Sequence, residues 1–278
     1  MTLRYAVPTP LEYFSSLVQS DDGFPLLEAA ASLAQDEYPG LDVQQVLDEV
    51  DQLLARLRRR LAPDAPPLQR LRVLNQFFYT DLGFCGNVNH YYDPENSYLS
   101  TVLHTRRGIP ITLAVLWLEL AQGAGLQVHG VAFPGHFLVK VLLPAGQALL
   151  DPFTGHSLSR EELDERLEPF QRAVLPHDDV PLGLYLTAAA PREIIARMLR
   201  NLKEVHHAQH DWPRVLAVQE RLVRLLPHAW TEWRDRGLAN AECGHAMAAV
   251  SDLELYLAHT DEEPDRTRIR ERLALLRP

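Results

Sequence analysis

The sequence predicts an α+β chain in two parts. The first has N-terminal helices, a helix in the middle of the domain and a small antiparallel sheet; the second is all-α and built from a repeat. Three observations predict this. Residues 111–122 are apolar nearly all round, a pattern for a helix in the middle of a domain. Three short runs rich in Val, Leu and Phe follow, separated by Pro134-Gly135 and Pro144-Ala145-Gly146. Near the C-terminus, residues 211–218 superpose on residues 245–252 at an offset of 34.

Composition sets the frame. The chain has 278 residues, 46% hydrophobic and 23% charged, which excludes a disordered or low-complexity protein. At roughly 100–200 residues per domain, two domains are expected. The expected boundaries are 1–168 for the core, 169–190 for a junction and 191–278 for the repeats. A formal net charge of -10 argues against nucleic acid as the main partner, since phosphate binding needs a basic surface. Two cysteines cannot make a disulfide framework. No run approaches the ~18 apolar residues of a membrane span, and Met1-Thr2-Leu3-Arg4-Tyr5 lacks the apolar run of a signal peptide. A cytoplasmic protein with no membrane contact is expected.

Along the chain, residues 11–61 read as two helices separated by Pro39-Gly40, with Leu26, Leu27, Ala30, Leu33 and Ala34 on one face of the first. Val43, Val46, Leu47, Val50, Leu53, Leu54 and Leu57 line one face of the second. The run Arg56, Arg58, Arg59, Arg60 reads as a solvated helix end favoured by the macrodipole. A helix from Leu68 to Tyr79 precedes a polar stretch, Gly83 to Ser97. Asp93-Pro94-Glu95 has the order N-cap, first-turn proline, first-turn acid, so a short helix to about His104 should follow. Pro110 fits the first position of the central helix, Ile111 to Gln122.

Strands are expected at Val128–Phe133, Phe137–Leu143 and Ala148–Asp151. Their connections are too short for crossover helices, so they pair antiparallel. Ser159-Arg160-Glu161-Glu162 is a capping box opening a helix to about Leu167. Prolines at 169, 176, 181 and, just beyond, 191 mark the junction.

From Pro191 the chain reads as helical. The 34-residue offset is the tetratricopeptide period. Trp233 and Gly237 fall at the Trp and Gly of the W-x2-L-G signature, with Arg236 in place of Leu. Pro227 closes the first unit, and Arg266 to Leu276 would be a capping helix. Such units present a groove, which points to a protein or peptide partner. Two units fall short of the three usually needed for stability, so an unrelated helical bundle, or units that merely pack on the first domain, remain alternatives.

One pair points to chemistry. His136 begins the second strand after the Pro134-Gly135 turn, and Asp151 ends the third. On adjacent antiparallel strands their side chains can meet. An Asp that orients a His, which serves a nucleophile at the start of a buried helix, is the layout of thiol-dependent acyl transfer. From these two residues alone a structural His–Asp pair is the more common reading.

Five ordered motifs extend this reading. They are Gly83-Phe84-Cys85-Gly86-Asn87, Tyr92-Asp93-Pro94-Glu95-Asn96-Ser97-Tyr98-Leu99, Arg107-Gly108-Ile109-Pro110-Ile111, Phe133-Pro134-Gly135-His136-Phe137-Leu138-Val139 and Asp151-Pro152-Phe153. Together they resemble the transglutaminase-like proteins of the bacterial SirB type, over about residues 25–265. The resemblance implies a papain/transglutaminase-like α+β core joined to C-terminal tetratricopeptide-like repeats. The wider superfamily uses a Cys-His-Asp triad. The resemblance matches His136 to its His and Asp151 to its Asp, and it places the nucleophile at Pro110, which has none.

Two substitutes for the nucleophile stand beside a pseudoenzyme reading. Cys85 lies between turn glycines and could approach His136 from another element, although a lone Cys also serves as a small buried apolar residue. Thr112 carries a hydroxyl in the first turn of the central helix, where a capping role competes. Asn87, Tyr92, Asn96 and Ser97, with Arg107 and Thr112, are the expected cleft-lining residues; the alternative is a loop held together by its own side-chain-to-backbone bonds. Cys243 sits at a repeat turn and reads as structural. His206, His207 and His210 include an i,i+4 pair but lack the Glu of H-E-x-x-H, so satisfied helix histidines are expected rather than a metal site. Asp261-Glu262-Glu263 reads as a solvated loop. No Walker loop and no G-x-G-x-x-G occurs, so no cofactor is expected.

Two function classes follow. One is a non-catalytic descendant that keeps its cleft for binding and uses the repeats to engage a protein partner. The other is a hydrolase or acyl transferase that uses Cys85 or Thr112 with His136 and Asp151.

Overall fold

The computed structural model describes residues 7–174, 180–261 and 265–277. The N-terminal Met1 to Tyr5, Pro176 of the expected junction, and Glu262 and Glu263 lie outside the described residues.

Helix α1 (Pro10–Leu17) opens on a capping box in which the Thr9 hydroxyl accepts from the Glu12 N–H and the Glu12 carboxylate accepts from the Thr9 N–H. Helix α2 (Leu26–Ser32) runs into a 3-10 turn, Leu33–Asp36, and α3 (Val43–Arg58) follows, capped by Asp42. The expected single helix before Pro39 is thus two. Gly23, at φ +64°, and Pro25 break it, a glycine conformation that no side-chain-bearing residue adopts cheaply. Helix α4 (Pro67–Asn75) widens into a π-turn at Gln76–Asp81. The basic run ending α3 is more than solvated: Arg56 and Arg60 lie over the Phe77 ring, Arg60 pairs with Asp81, and Arg58 Nε donates to the Gly123 carbonyl.

Strand β1 (Cys85–Gly86) precedes a 3-10 turn, Pro94–Ser97, capped by Asp93 as expected, and then α5 (Leu99–Thr105). Strand β2 (Arg107–Gly108) pairs parallel with β1 and leads directly into α6 (Pro110–Gly123). The sheet is β3 (Gln127–Val131), β4 (Leu138–Leu143), β5 (Gly146–Leu150) and β6 (Ser157–Leu158), antiparallel throughout in that order.

The central helix behaves as its composition demands. Eleven of its residues are buried, Trp117 completely, and it packs on β3 and β4. The indole N–H of Trp117 donates to Asn75 Oδ1 at 3.1 Å, so the burial leaves its polar atom paired. Register places Val131, Leu138 and Leu149 on one face of the sheet. There they pack, with Phe133, against Leu163 and Leu167 of α7 (Arg160–Val174). The capping box at Ser159 and Glu162 forms as expected. The helix, however, runs on through Pro169 rather than ending at Leu167. An interior proline forfeits a backbone bond; buried Leu163 and Leu167 hold the helix against the sheet ahead of it. A short α8 (Leu182–Tyr185) follows.

The remaining helices are α9 (Pro191–Ala208), α10 (Trp212–Leu225), α11 (Trp230–Glu242), α12 (Ala246–His259) and α13 (Asp265–Leu276). The starts of α10 and α12 are 34 residues apart, the offset read in the sequence.

The chain forms two compact units. One comprises Leu26–Ala34 and Gly40–Ile194; the other comprises Met1–Pro25, Gln35–Pro39 and Ile195–Pro278. A continuous division at 168 and 191 was expected, with all N-terminal helices in the core. Instead α1 and residues 35–39 join the repeat helices. Phe14 lies under the Arg221 guanidinium, Asp36 takes both Nε and Nη2 of Arg221 at 2.7 and 2.8 Å, and Glu37 likewise grips Arg214.

Candidate functional site

Three chain segments are laced together by backbone hydrogen bonds. The Cys85 N–H donates to the Arg106 carbonyl, and the Asn87 N–H to the Gly108 carbonyl. The Gly86 N–H donates to the Phe153 carbonyl at 2.9 Å. The strand bearing Cys85, the lead into α6 and the segment Asp151-Pro152-Phe153 therefore meet at one place. Two backbone features permit it. Arg106 takes the left-handed conformation, φ 62°, to turn α5 into β2. Gly86 leaves room for the Phe153 ring, which a Cβ there would meet at 2.2 Å.

The expected pair forms. His136 Nε2 lies 2.9 Å from Asp151 Oδ1. His136 is not in the strand but in the bend before β4, its N–H bonded to the Phe133 carbonyl, and Asp151 lies just after β5. His136 is half-buried and Asp151 buried. Asp151 has further partners: the Phe153 N–H donates to Oδ1 at 2.9 Å and Arg166 Nη1 to Oδ2 at 3.2 Å. Burial pushes the Asp151 pKa up. The hydrogen bond and charge of His136, the Phe153 amide and Arg166 outweigh it and hold the carboxyl below its ordinary value.

Arg166 and Phe153 were not read as site residues from the sequence. Arg166 stands in an acidic helix, one residue before the buried Leu167. Only the packing of α7 on the sheet turns it to Asp151.

The other expected residues divide. Cys85 is half-buried in β1. Pro110 is buried at the first position of α6 and carries no reactive group. Thr112 is completely buried, and its Oγ1 has no hydrogen-bond partner among the described residues. It caps nothing; the N-cap residue is Ile109.

The loop expected to line a cleft is held by its own bonds. Asn87 Nδ2 donates to Asn96 Oδ1, and Asn96 Nδ2 donates to the carbonyls of His90 and Tyr91. Asn96 and Ser97 are buried, whereas Tyr92 is 78% exposed. Arg107 spends its guanidinium on the carbonyls of Gly83 and Arg106.

In the helical unit His206 is buried and its Nδ1 has no partner among the described residues, so it is not the satisfied histidine expected; burial lowers its pKa. His207 and His210 stand edge-on to Trp212. Among the described residues no three His, Cys, Asp or Glu side chains gather to hold a metal ion. Cys243 is the C-cap residue of α11, and burial raises its pKa. Among the described residues no helix is long and apolar enough to cross a membrane.

Comparison with known proteins fits this architecture. A Transglutaminase-like superfamily model matches residues 44–200, and a Tetratricopeptide repeat model matches residues 202–274. A UPF0162 protein of Xylella fastidiosa (strain 9a5c) is 38% identical over 89% of this chain and 88% of its own length. The chain belongs to the transglutaminase-like UPF0162 family. A UPF0162 relative from Pseudomonas aeruginosa is 30% identical over 91% of both chains. The UPF0162 protein YchA of Escherichia coli (strain K12) is 29% identical over 82% of this chain and 83% of its own. Among solved structures, menin superposes with a TM-score of 0.43 at 11% identity, over 96% of this chain and 75% of menin, a likeness too slight to carry an argument.

Proposed function

We propose that this UPF0162 protein is a non-catalytic transglutaminase-like protein. It keeps the cleft for binding and uses its helical unit to engage a protein partner in the cytoplasm. One observation carries the reading: the first residue of the central helix, where the resemblance places the superfamily's thiol, is the buried Pro110. No side chain there can form a thioacyl intermediate. Thr112 does not substitute, because its hydroxyl is sealed from solvent. The Asp151 carboxylate also ties the Phe153 amide and Arg166 of α7, so the His136–Asp151 pair has a structural use without catalysis. The tetratricopeptide match supports a capacity for protein interaction. The test is incorporation of a fluorescent primary amine into a glutamine peptide, with ammonia release measured in parallel. Both stay at the buffer rate.

A second reading rests on Cys85, which is half-buried and whose strand is bonded to the Phe153 segment. It makes the protein a cysteine hydrolase or acyl transferase with His136 as base, oriented by Asp151. Turnover above the buffer rate, abolished in both Cys85→Ala and His136→Ala, would establish it.

A further inference from the structure

A groove of about 390 Å³ runs between α9, α10, α11 and α13 of the helical unit. Its polar groups differ in whether they are already spent. Lys203 is paired with Glu232 and Asp235 at 3.3 and 3.0 Å. Glu204 is exposed and has no ion pair among the described residues. Trp212 is half-buried, with the His207 ring edge-on at 5.1 Å. Gln219, on the wall formed by α10, is completely buried, and neither its Oε1 nor its Nε2 has a partner among the described residues.

A buried amide with both donor and acceptor unpaired is costly, and a protein seldom retains one without use. The groups left unspent define what would fit. A primary amide presents a donor beside an acceptor. Its complement is the main chain of an extended residue, whose N–H and C=O point to the same side. The unpaired Glu204 calls for a cation, and the indole of Trp212 accepts the stem and charge of a Lys or Arg.

We propose that this groove binds an extended basic peptide segment of a partner protein, its main chain paired with Gln219 and a Lys or Arg side chain set between Glu204 and Trp212. The Gln219 amide is sealed in the free protein, so pairing with it requires the groove wall to open, while Glu204 at the rim is already exposed. The proposal rests on the reading that the helical unit engages a protein, and it assigns the site and the chemistry of the ligand.

The test selects random linear heptapeptides displayed on phage against the immobilised full chain. The affinity of the selected synthetic peptides is then measured by fluorescence anisotropy. The expected peptides share a Lys or Arg at a fixed position. Gln219→Leu, which removes the unpaired amide while filling its space, weakens them at least tenfold. Glu204→Gln, an exposed change that leaves folding intact, weakens them about fivefold and erases the preference for a basic residue. Peptides that bind the wild type and both variants equally would overturn the groove assignment and leave the partner reading standing. If the full chain selects no peptide, both are overturned.

Discussion

Asp151 is the residue on which most of the site converges. His136, the Phe153 amide and Arg166 all donate to one buried carboxylate. Replacing it by Asn keeps an oxygen that accepts from His136 and the Phe153 N–H, but leaves Arg166 without its counter-charge and facing an amide N–H donor. Asp151→Asn should cost about 3 kcal/mol at pH 7, read by urea unfolding, because removing one partner of a buried ionic network leaves the rest uncompensated. The pH dependence follows from the direction of the shift. The folded pKa lies below the unfolded value, about 3.9 for Asp. The stabilisation is therefore present above about pH 4 and is lost as pH falls through the lower folded value. In Asp151→Asn that part of the acid loss disappears. His206 acts in the same direction for the opposite reason. Burial lowers its folded pKa, so the unfolded chain takes up a proton first as pH falls below about 6.5. Stability should decline from there downward, and His206→Leu should flatten the decline between about pH 7 and 5. A slope unchanged by the substitution would mean that the ring is not held neutral. At this scale the sequence revealed His136 and Asp151, because Pro134-Gly135 and Asp151-Pro152 fix both strand ends. It did not reveal Arg166, whose role depends on where α7 lies.

Among the elements, α6 and the α11–α12 pair carry the sharpest expectations. Leu116 is buried in the central helix, and Leu116→Ala should cost about 2–5 kcal/mol through the cavity it leaves. A loss under about 1 kcal/mol would contradict the central placement of α6. At Gly237 a Cβ would meet Leu253 Cγ at 2.8 Å and Asp252 Cβ at 3.1 Å, so α11 and α12 approach closely only because the residue is Gly. Gly237→Leu should destabilise the helical unit by about 1–3 kcal/mol or more through overpacking, seen as a fall in its thermal midpoint. The departure of Arg236 from the repeat signature has a physical reason. Arg236 pairs through two bonds of 2.7 Å with the buried Asp252 of α12 and covers the Trp233 ring. A salt bridge stands where the repeat usually packs a leucine. Legibility was uneven here. Apolar periodicity and capping residues exposed α3, α6 and the start of α7. The break at Gly23 and the run of α7 through Pro169 were hidden, because contacts that periodicity does not register decide them; the self-bonded loop around Asn96 was legible only as one of two alternatives.

For the whole molecule, the order of elements was legible but the grouping was not. Helix periodicity cannot tell that α1 and Asp36 belong with α10, since the deciding contacts are Arg221 with Phe14 and Asp36. The reading of function depends on a different long-range fact: whether any thiol in the core serves His136. With Pro110 at the head of the central helix, Cys85 is the one cysteine in the core. The most direct measurement is the second-order rate of Cys85 alkylation by iodoacetamide at pH 7, followed peptide by peptide by mass spectrometry in the wild type and in His136→Ala. A non-catalytic core gives a rate no faster than that of an ordinary exposed thiol, and the same rate in the variant. Fast labelling of Cys85 that collapses in His136→Ala would contradict it and show a working thiol–imidazole pair.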